Sequence, residues 1–248
     1  MNRTLLVTGA SRGIGASVAR LAAAHGWDVA VNAVRDLRAA ERVADEVRAL
    51  GRRALALQAD VSSEAAVCAM FARIDTEWGP LTGLVNNAGV VDVAQRVDEM
   101  NLDRWQRMFA INVQGTFLCT REALRRMSTR HGGAGGSIVN LSSAAARIGS
   151  PAQYVDYAAA KAAIDTFTLG VAREVATEDV RVNAVRPGII DTEIHASGGQ
   201  PDRARRMASQ VPMQRAGSAD EVARAVVWLL SEEASYTTGS VLDVAGGR

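Results

Sequence analysis

Tyr157 and Lys161, separated by three alanines, are residues whose types and spacing could do chemistry together. They lie in a run with helical periodicity, so both project from one face, one turn apart. At about 4 Å and an effective dielectric of about 20, an ammonium stabilises a phenolate by about 4 kcal/mol. That corresponds to roughly three pKa units and would bring a tyrosine from about 10 toward neutrality. Such a phenol could exchange a proton with a ligand oxygen near neutral pH. A half-buried Tyr beside a solvated Lys would give the same pentapeptide, so the assignment depends on what the rest of the chain places around it.

The elements needed to position this pair follow from the pattern of apolar runs. Leu5-Leu6-Val7 reads as a short buried strand that ends in Thr8-Gly9-Ala10-Ser11-Arg12-Gly13-Ile14-Gly15. Helical periodicity then runs through Ile14, Val18, Leu21 and Ala22. Glycines let a backbone turn tightly and approach a ligand, and a new helix N-terminus offers unpaired N–H groups to an anion. The spacing is G-x-x-x-G-x-G rather than G-x-G-x-x-G. Its place between a strand and a helix favours a phosphate cradle over an ordinary turn.

Val29-Ala30-Val31-Asn32 reads as a second strand, and a helix follows with Gly51 as its stop. Dinucleotide-binding folds use an acidic residue after this strand to hold the adenosine ribose. Ala33 occupies that position here, with Arg35 nearby and Arg12 in the glycine loop. Two guanidiniums without a carboxylate suit a ribose that carries a 2′-phosphate, so NADP(H) is favoured over NAD(H). Asp36 argues the other way but reads as the N-cap of the next helix.

Strands are expected at 54–59, from Leu84, at 137–141, 180–185 and 241–244, alternating with helical patterns. That alternation implies an α/β, doubly wound parallel sheet with helices on both faces and loops gathered at the strands' C-terminal ends. Asp60-Val61-Ser62-Ser63 closes the third strand, and Asn86-Asn87-Ala88-Gly89 closes the fourth. One long helical pattern runs from Asn101 toward Arg130, interrupted by Asn112 and Gly115. A buried Asn on an apolar face must have its amide bonded, as a structural link or as a site group. The stretch 193–212 is polar and rich in Gly and Ser, as a mobile lid or a surface loop would be.

The 48% hydrophobic residues can fill one large core, and 248 residues fit a single domain. A net charge of +1 without a basic block gives no reason to expect nucleic acid or an anionic membrane as partner. No apolar run approaches the roughly 18 residues of a membrane span. The start resembles no signal peptide, Cys68 and Cys119 read as reduced core thiols, and the scattered His25, His131 and His195 suggest no metal site. A cytoplasmic domain is expected.

With Ser142-Ser143 ending the fifth strand and Pro187-Gly188 following the sixth, the chain resembles the short-chain dehydrogenases/reductases of the short, single-domain branch. The matching motifs are Thr8 to Gly15, Asn86 to Gly89, Asn112, Ser143, Tyr157 with Lys161, and Pro187-Gly188; they cover nearly the whole chain. The resemblance implies a Rossmann-type fold over residues 1–248 and a substrate lid at about 193–212. It implies a catalytic set of Asn112, Ser143, Tyr157 and Lys161. It also implies a cofactor site built from Gly9, Ser11, Arg12, Ile14, Arg35, Asp60, Val61, Asn87, Gly89, Tyr157, Lys161, Pro187, Gly188, Ile190 and Thr192. Tyr154 is set aside, because four residues later it meets Ala158.

By the same resemblance Tyr157 is the general acid/base, and Lys161 lowers its pKa and holds the nicotinamide ribose. Ser143 binds the substrate oxygen, and Asn112 fixes a water that relays protons. The family also includes 3-oxoacyl carrier-protein reductases and sugar or secondary-alcohol dehydrogenases, so the small-molecule carbonyl or alcohol is left open. Arg130 and Arg173 stand where an acyl carrier protein could dock, though solvated helix faces explain them equally well. A homotetramer is expected through the helices at 101–130 and 157–178. A non-catalytic nucleotide sensor on the same fold would be expected to lack one of the four reactive residues, and all four are present.

Overall fold

The computed structural model describes residues 3–248 and places Thr4–Val7 (β1) in the middle of a sheet, with every residue of the strand buried. The helix Gly13–Ala24 (α1) leads to Asp28–Ala33 (β2), and Leu37–Ala49 (α2) leads to Ala54–Gln58 (β3). Glu64–Trp78 (α3) brings the chain back to Gly83–Asn86 (β4), on the other side of β1. Leu102–Phe109 (α4) and Gly115–Met127 (α5) then lead to Gly136–Leu141 (β5). The short helix Ala145–Ile148 (α6) and the long Val155–Glu174 (α7) precede Val180–Pro187 (β6). Ile194–Ser197 (α8), Arg203–Met207 (α9) and Ala219–Leu230 (α10) complete the chain with Val241–Val244 (β7).

The seven strands lie in the order β3-β2-β1-β4-β5-β6-β7, all parallel. This is the doubly wound sheet expected from the alternating pattern. Its order reverses between β1 and β4, where such sheets open a crevice at the strands' C-terminal ends. Burial on both faces explains the unbroken apolar runs. Leu5 and Val7 pack into the core under α1, α2 and α10, whereas Leu6 joins the core under α3, α5 and α7.

Most long helices begin on side-chain caps. Asp36 accepts from Ala39 N at 2.8 Å, Asn101 accepts from Arg104 N at 2.8 Å, and Ser218 with Glu221 forms a capping box. Asp36 is therefore the N-cap that the sequence suggested. α1, like α5 and α7, has no side-chain cap; it follows Arg12 and has no acidic residue in its first turn.

The helical pattern from Asn101 is not one α-helix. One π turn, Ala110–Gln114, separates α4 from α5. Asn112 explains it, because its fully buried amide accepts from Val90 N at 3.2 Å and donates to Val90 O and Met108 O. The wider turn aims that amide at the irregular segment that follows β4. Gly115 has a steric reason: a Cβ there would lie 2.6 Å from Val61 Cγ2.

α4 is joined to the start of α7 by a buried ion pair. Arg104 Nε lies 2.7 Å from Asp156 Oδ2, and Arg104 Nη2 donates to Asp156 Oδ1 at 3.2 Å. Among the described residues, no helix is long and apolar enough to cross a membrane. Cys68 and Cys119 are free thiols, and burial pushes Cys119 up to about 12.

Candidate active site

At the switch point the ends of β1 and β4 are tied into one unit. The Thr8 hydroxyl accepts from Asn87 N and Ala88 N, both at 3.0 Å. The Asn87 amide donates back to Thr8 O and Gly9 O, both at 2.9 Å. From β2, Asn32 takes the N–H of Gly9 on its side chain and that of Ala10 on its carbonyl. These contacts fix the glycine loop, and the uncapped first turn of α1 leaves its N–H groups directed at the crevice. Positive potential and unused donors at a helix N-terminus fit a diphosphate.

Gly9 has φ +60°, and a Cβ there would stand 2.8 Å from Ala88 Cα. Gly9→Ala is therefore expected to lower stability by about 2 kcal/mol or more and to weaken nucleotide binding. Thermal melts and a fluorescence titration would show this, and unchanged values in both would mean that the loop does not need this conformation.

The expected cofactor residues fall into two groups. Ile14, Asn87, Gly89, Pro187, Gly188, Ile190 and Thr192 line one cavity of about 140 Å³, and Ser143, Tyr157 and Lys161 line it too. Gly9, Ser11, Arg12, Arg35, Asp60 and Val61 lie outside its wall. At the end of β2, Ala33 is buried while Arg12 and Arg35 are exposed. Asp60 holds Ser62 N at 2.9 Å, and Val61 is packed against Gly115. Asn112 does not line the cavity either. Its amide is spent on Val90 and Met108, and its carbonyl accepts from the Thr116 hydroxyl at 3.1 Å.

α7 carries Tyr157 and Lys161 on adjacent turns of one face, but the lysine is not solvated. It is 4% exposed, and its Nζ donates to Leu141 O at 2.6 Å. The amine sits 5.6 Å from the centroid of the Tyr157 ring. Burial lowers Lys161 to about 8, with Asp165 opposing the shift. Burial also raises Tyr157 to about 12, with the Ser143 side chain opposing. The expectation that Lys161 brings this phenol to neutrality is thus corrected for the protein without ligand. The ammonium is turned to the Leu141 carbonyl, and desolvation of the phenolate is the larger effect. A buried lysine is costly to keep unless its ammonium is bonded, as it is here to Leu141 O.

Tyr154 has a role that its spacing concealed. Gln200 Nε2 donates to its hydroxyl at 2.7 Å, and the Arg203 guanidinium lies over its ring at 5.2 Å. It docks the 193–212 segment against the turn before α7. Arg203 and Arg248 also line the cavity, and neither was singled out from the sequence. Arg203 meets Gln153, 50 residues upstream, beyond the reach of local patterns.

Comparison with known proteins places the whole chain. Residues 9–248 match a family model described as enoyl-(acyl carrier protein) reductase. The uncharacterised oxidoreductase YgfF of Escherichia coli is 54% identical over 98% of each chain. The 3-oxoacyl-[acyl-carrier-protein] reductase FabG of Staphylococcus aureus is 36% identical over 100% of this chain and 98% of its own. A crystal structure of a short-chain type dehydrogenase/reductase from Mycobacterium marinum superposes with a TM-score of 0.92 at 36% identity, covering 99% and 94% of the two chains. The chain belongs to the short-chain dehydrogenase/reductase family. Within it, the protein is an NAD(P)-dependent oxidoreductase acting between alcohol and carbonyl groups.

Proposed function

We propose that the protein reduces a small-molecule carbonyl to a secondary alcohol with NADPH, reversibly, and that Tyr157 handles the proton. The observation that carries this reading is the meeting of Ser143, Tyr157 and buried Lys161 in one cavity beside the uncapped α1 terminus. When bound, the nicotinamide supplies the hydride. Tyr157, protonated at neutral pH because burial raises it, gives its proton to the substrate oxygen. Ser143 donates a hydrogen bond to that oxygen as charge develops on it. With the cofactor bound, Lys161 would turn from Leu141 to the nicotinamide ribose and would favour the phenolate left after transfer. Asn112 acts by holding Val90, and so the Gly89 side of the cavity, in place. Both N–H groups of its amide are already used, so Asn112 would not donate to a relay water.

Arg35, two residues beyond the end of β2, and Arg12 in the glycine loop are both exposed. With Ala33 in place of a carboxylate and Asp36 turned into its helix, they support NADP(H). NADPH is expected to bind about tenfold or more tightly than NADH, and Arg35→Gln to remove most of that preference. Titrations that follow nicotinamide fluorescence test both, followed by a panel of ketones, 3-oxoacyl thioesters and sugar lactones. Preference for NADH would overturn the cofactor choice and leave the proton chemistry standing. Assembly into a homotetramer is supported by exposed apolar side chains on the expected helices, among them Leu102, Trp105, Phe117 and Leu169. Sedimentation measures it directly. Arg130 stands 4.0 Å from Glu178, a weak pair that a carrier protein could displace.

A further inference from the structure

The cavity that holds Ser143 and Tyr157 is lined by Lys161, His195, Arg203 and Arg248 and by no aspartate or glutamate. Lys161 is bonded to Leu141 O and, in the reading above, serves the nicotinamide ribose. His195 Nε2 lies 2.9 Å from Ile190 O, which makes that nitrogen a donor, and burial keeps the ring toward its neutral form. Arg203 remains, and its surroundings are unusual for a half-buried guanidinium. Its Nη1 donates to Gln153 Oε1 at 2.7 Å and to Gln200 Oε1 at 3.3 Å, and its plane rests on the Tyr154 ring.

Among the described residues no carboxylate pairs with Arg203. The neighbouring Asp202 pairs with Arg205 instead, at 3.2 Å. Arg203 therefore keeps its Nε–Nη2 edge without a protein acceptor, and a planar carboxylate binds that edge through two parallel hydrogen bonds. Burial and the nearby charges of Arg248 and Arg206 work against the cation, and Tyr154 works for it. Neutral glutamines and a ring face hold it in place without neutralising it, as a receptor for an arriving anion requires.

We propose that the substrate carries a carboxylate in addition to the carbonyl or alcohol group, and that Arg203 receives it with Arg248 adding positive potential. The oxygen to be reduced then sits at Tyr157 and Ser143. This rests on the oxidoreductase reading of the same cavity. Because Arg203 opens α9, a bound carboxylate also fastens the 193–212 segment over the site through Gln200 and Tyr154.

The test compares 3-oxobutanoate, 4-oxopentanoate and benzoylformate with their methyl esters, using NADPH and NADH, on the native chain, Arg203→Met and Arg203→Lys. The native protein is expected to prefer at least one acid over its ester by about 10- to 100-fold in kcat/KM. Arg203→Met should collapse that acid-to-ester ratio, chiefly through KM, and Arg203→Lys should restore part of it. Unchanged cofactor affinity would show that the variants are folded. Esters turned over as well as acids, or a ratio untouched by Arg203→Met, would overturn the proposal while the reductase reading stands. If nothing is turned over, thermal shifts with acid or ester in the presence of oxidised cofactor decide. A rise given by the acid, and lost in Arg203→Met, would keep the anion site and sink the reductase reading. No rise would overturn the anion site.

Discussion

Replacing Tyr157 by phenylalanine is expected to lower turnover by about 10²- to 10⁴-fold, the usual contribution of a positioned acid or base, and to leave NADPH affinity within about twofold. The ring keeps its place on α7, so the fold has no reason to change. What disappears is the hydroxyl that shares the cavity wall with Ser143 and that the proposed mechanism uses to pass a proton to a bound oxygen. The phenol is held near 12 by burial, so the donating form is fully populated through neutral pH, which suits reduction. Single-turnover reduction of any accepted ketone measures the loss directly. Near-normal turnover in the variant would remove Tyr157 from the chemistry.

The second large effect concerns stability. Asp156 is fully buried and holds Arg104 by two contacts while accepting from Tyr157 N at 2.9 Å. Asp156→Ala would leave the Arg104 guanidinium buried with neutral partners, the Val93 carbonyl at 2.7 Å and Gln95 Oε1 at 3.0 Å. The expected cost is about 3–5 kcal/mol, or a fall in Tm of roughly 6–20 °C for a chain of this size. Replacing both partners, Arg104→Met with Asp156→Leu, should recover much of the loss, because a buried pair and a well-packed apolar pair are often nearly equivalent. A loss below about 1 kcal/mol in the single variant would mean that water reaches the pair. Turnover should fall with it, since the pair anchors the helical turn that presents Tyr157.

Much of this was legible before any coordinates, because it rests on local rules. The buried strands, the cap at Asp36, the glycine turn and the Tyr157/Lys161 spacing each declare themselves within a few residues. What was not legible depends on partners far along the chain. Lys161 meets Leu141, 20 residues upstream, and desolvation then reverses the direction expected for Tyr157. The sequence shows that Asn112 needs a partner, but that partner, Val90, lies 22 residues upstream, and only the fold explains the π turn. Arg203 reads as one basic residue in a polar segment until Gln153 and Tyr154 are brought against it.

The sheet order also bears on how the chain is made. β1 is the first strand to be synthesised, yet it ends in the middle of the finished sheet. β2 can cover one of its edges early, but the other stays bare until residue 83 emerges, 76 positions beyond Val7. At about 5–20 residues per second this is roughly 4–15 s during which an apolar strand has an open edge on the ribosome. Nascent chains released before β4 would carry that edge permanently and pair with one another. That exposed interval falls within the first third of the chain, before Ser143, Tyr157 and Lys161 are added.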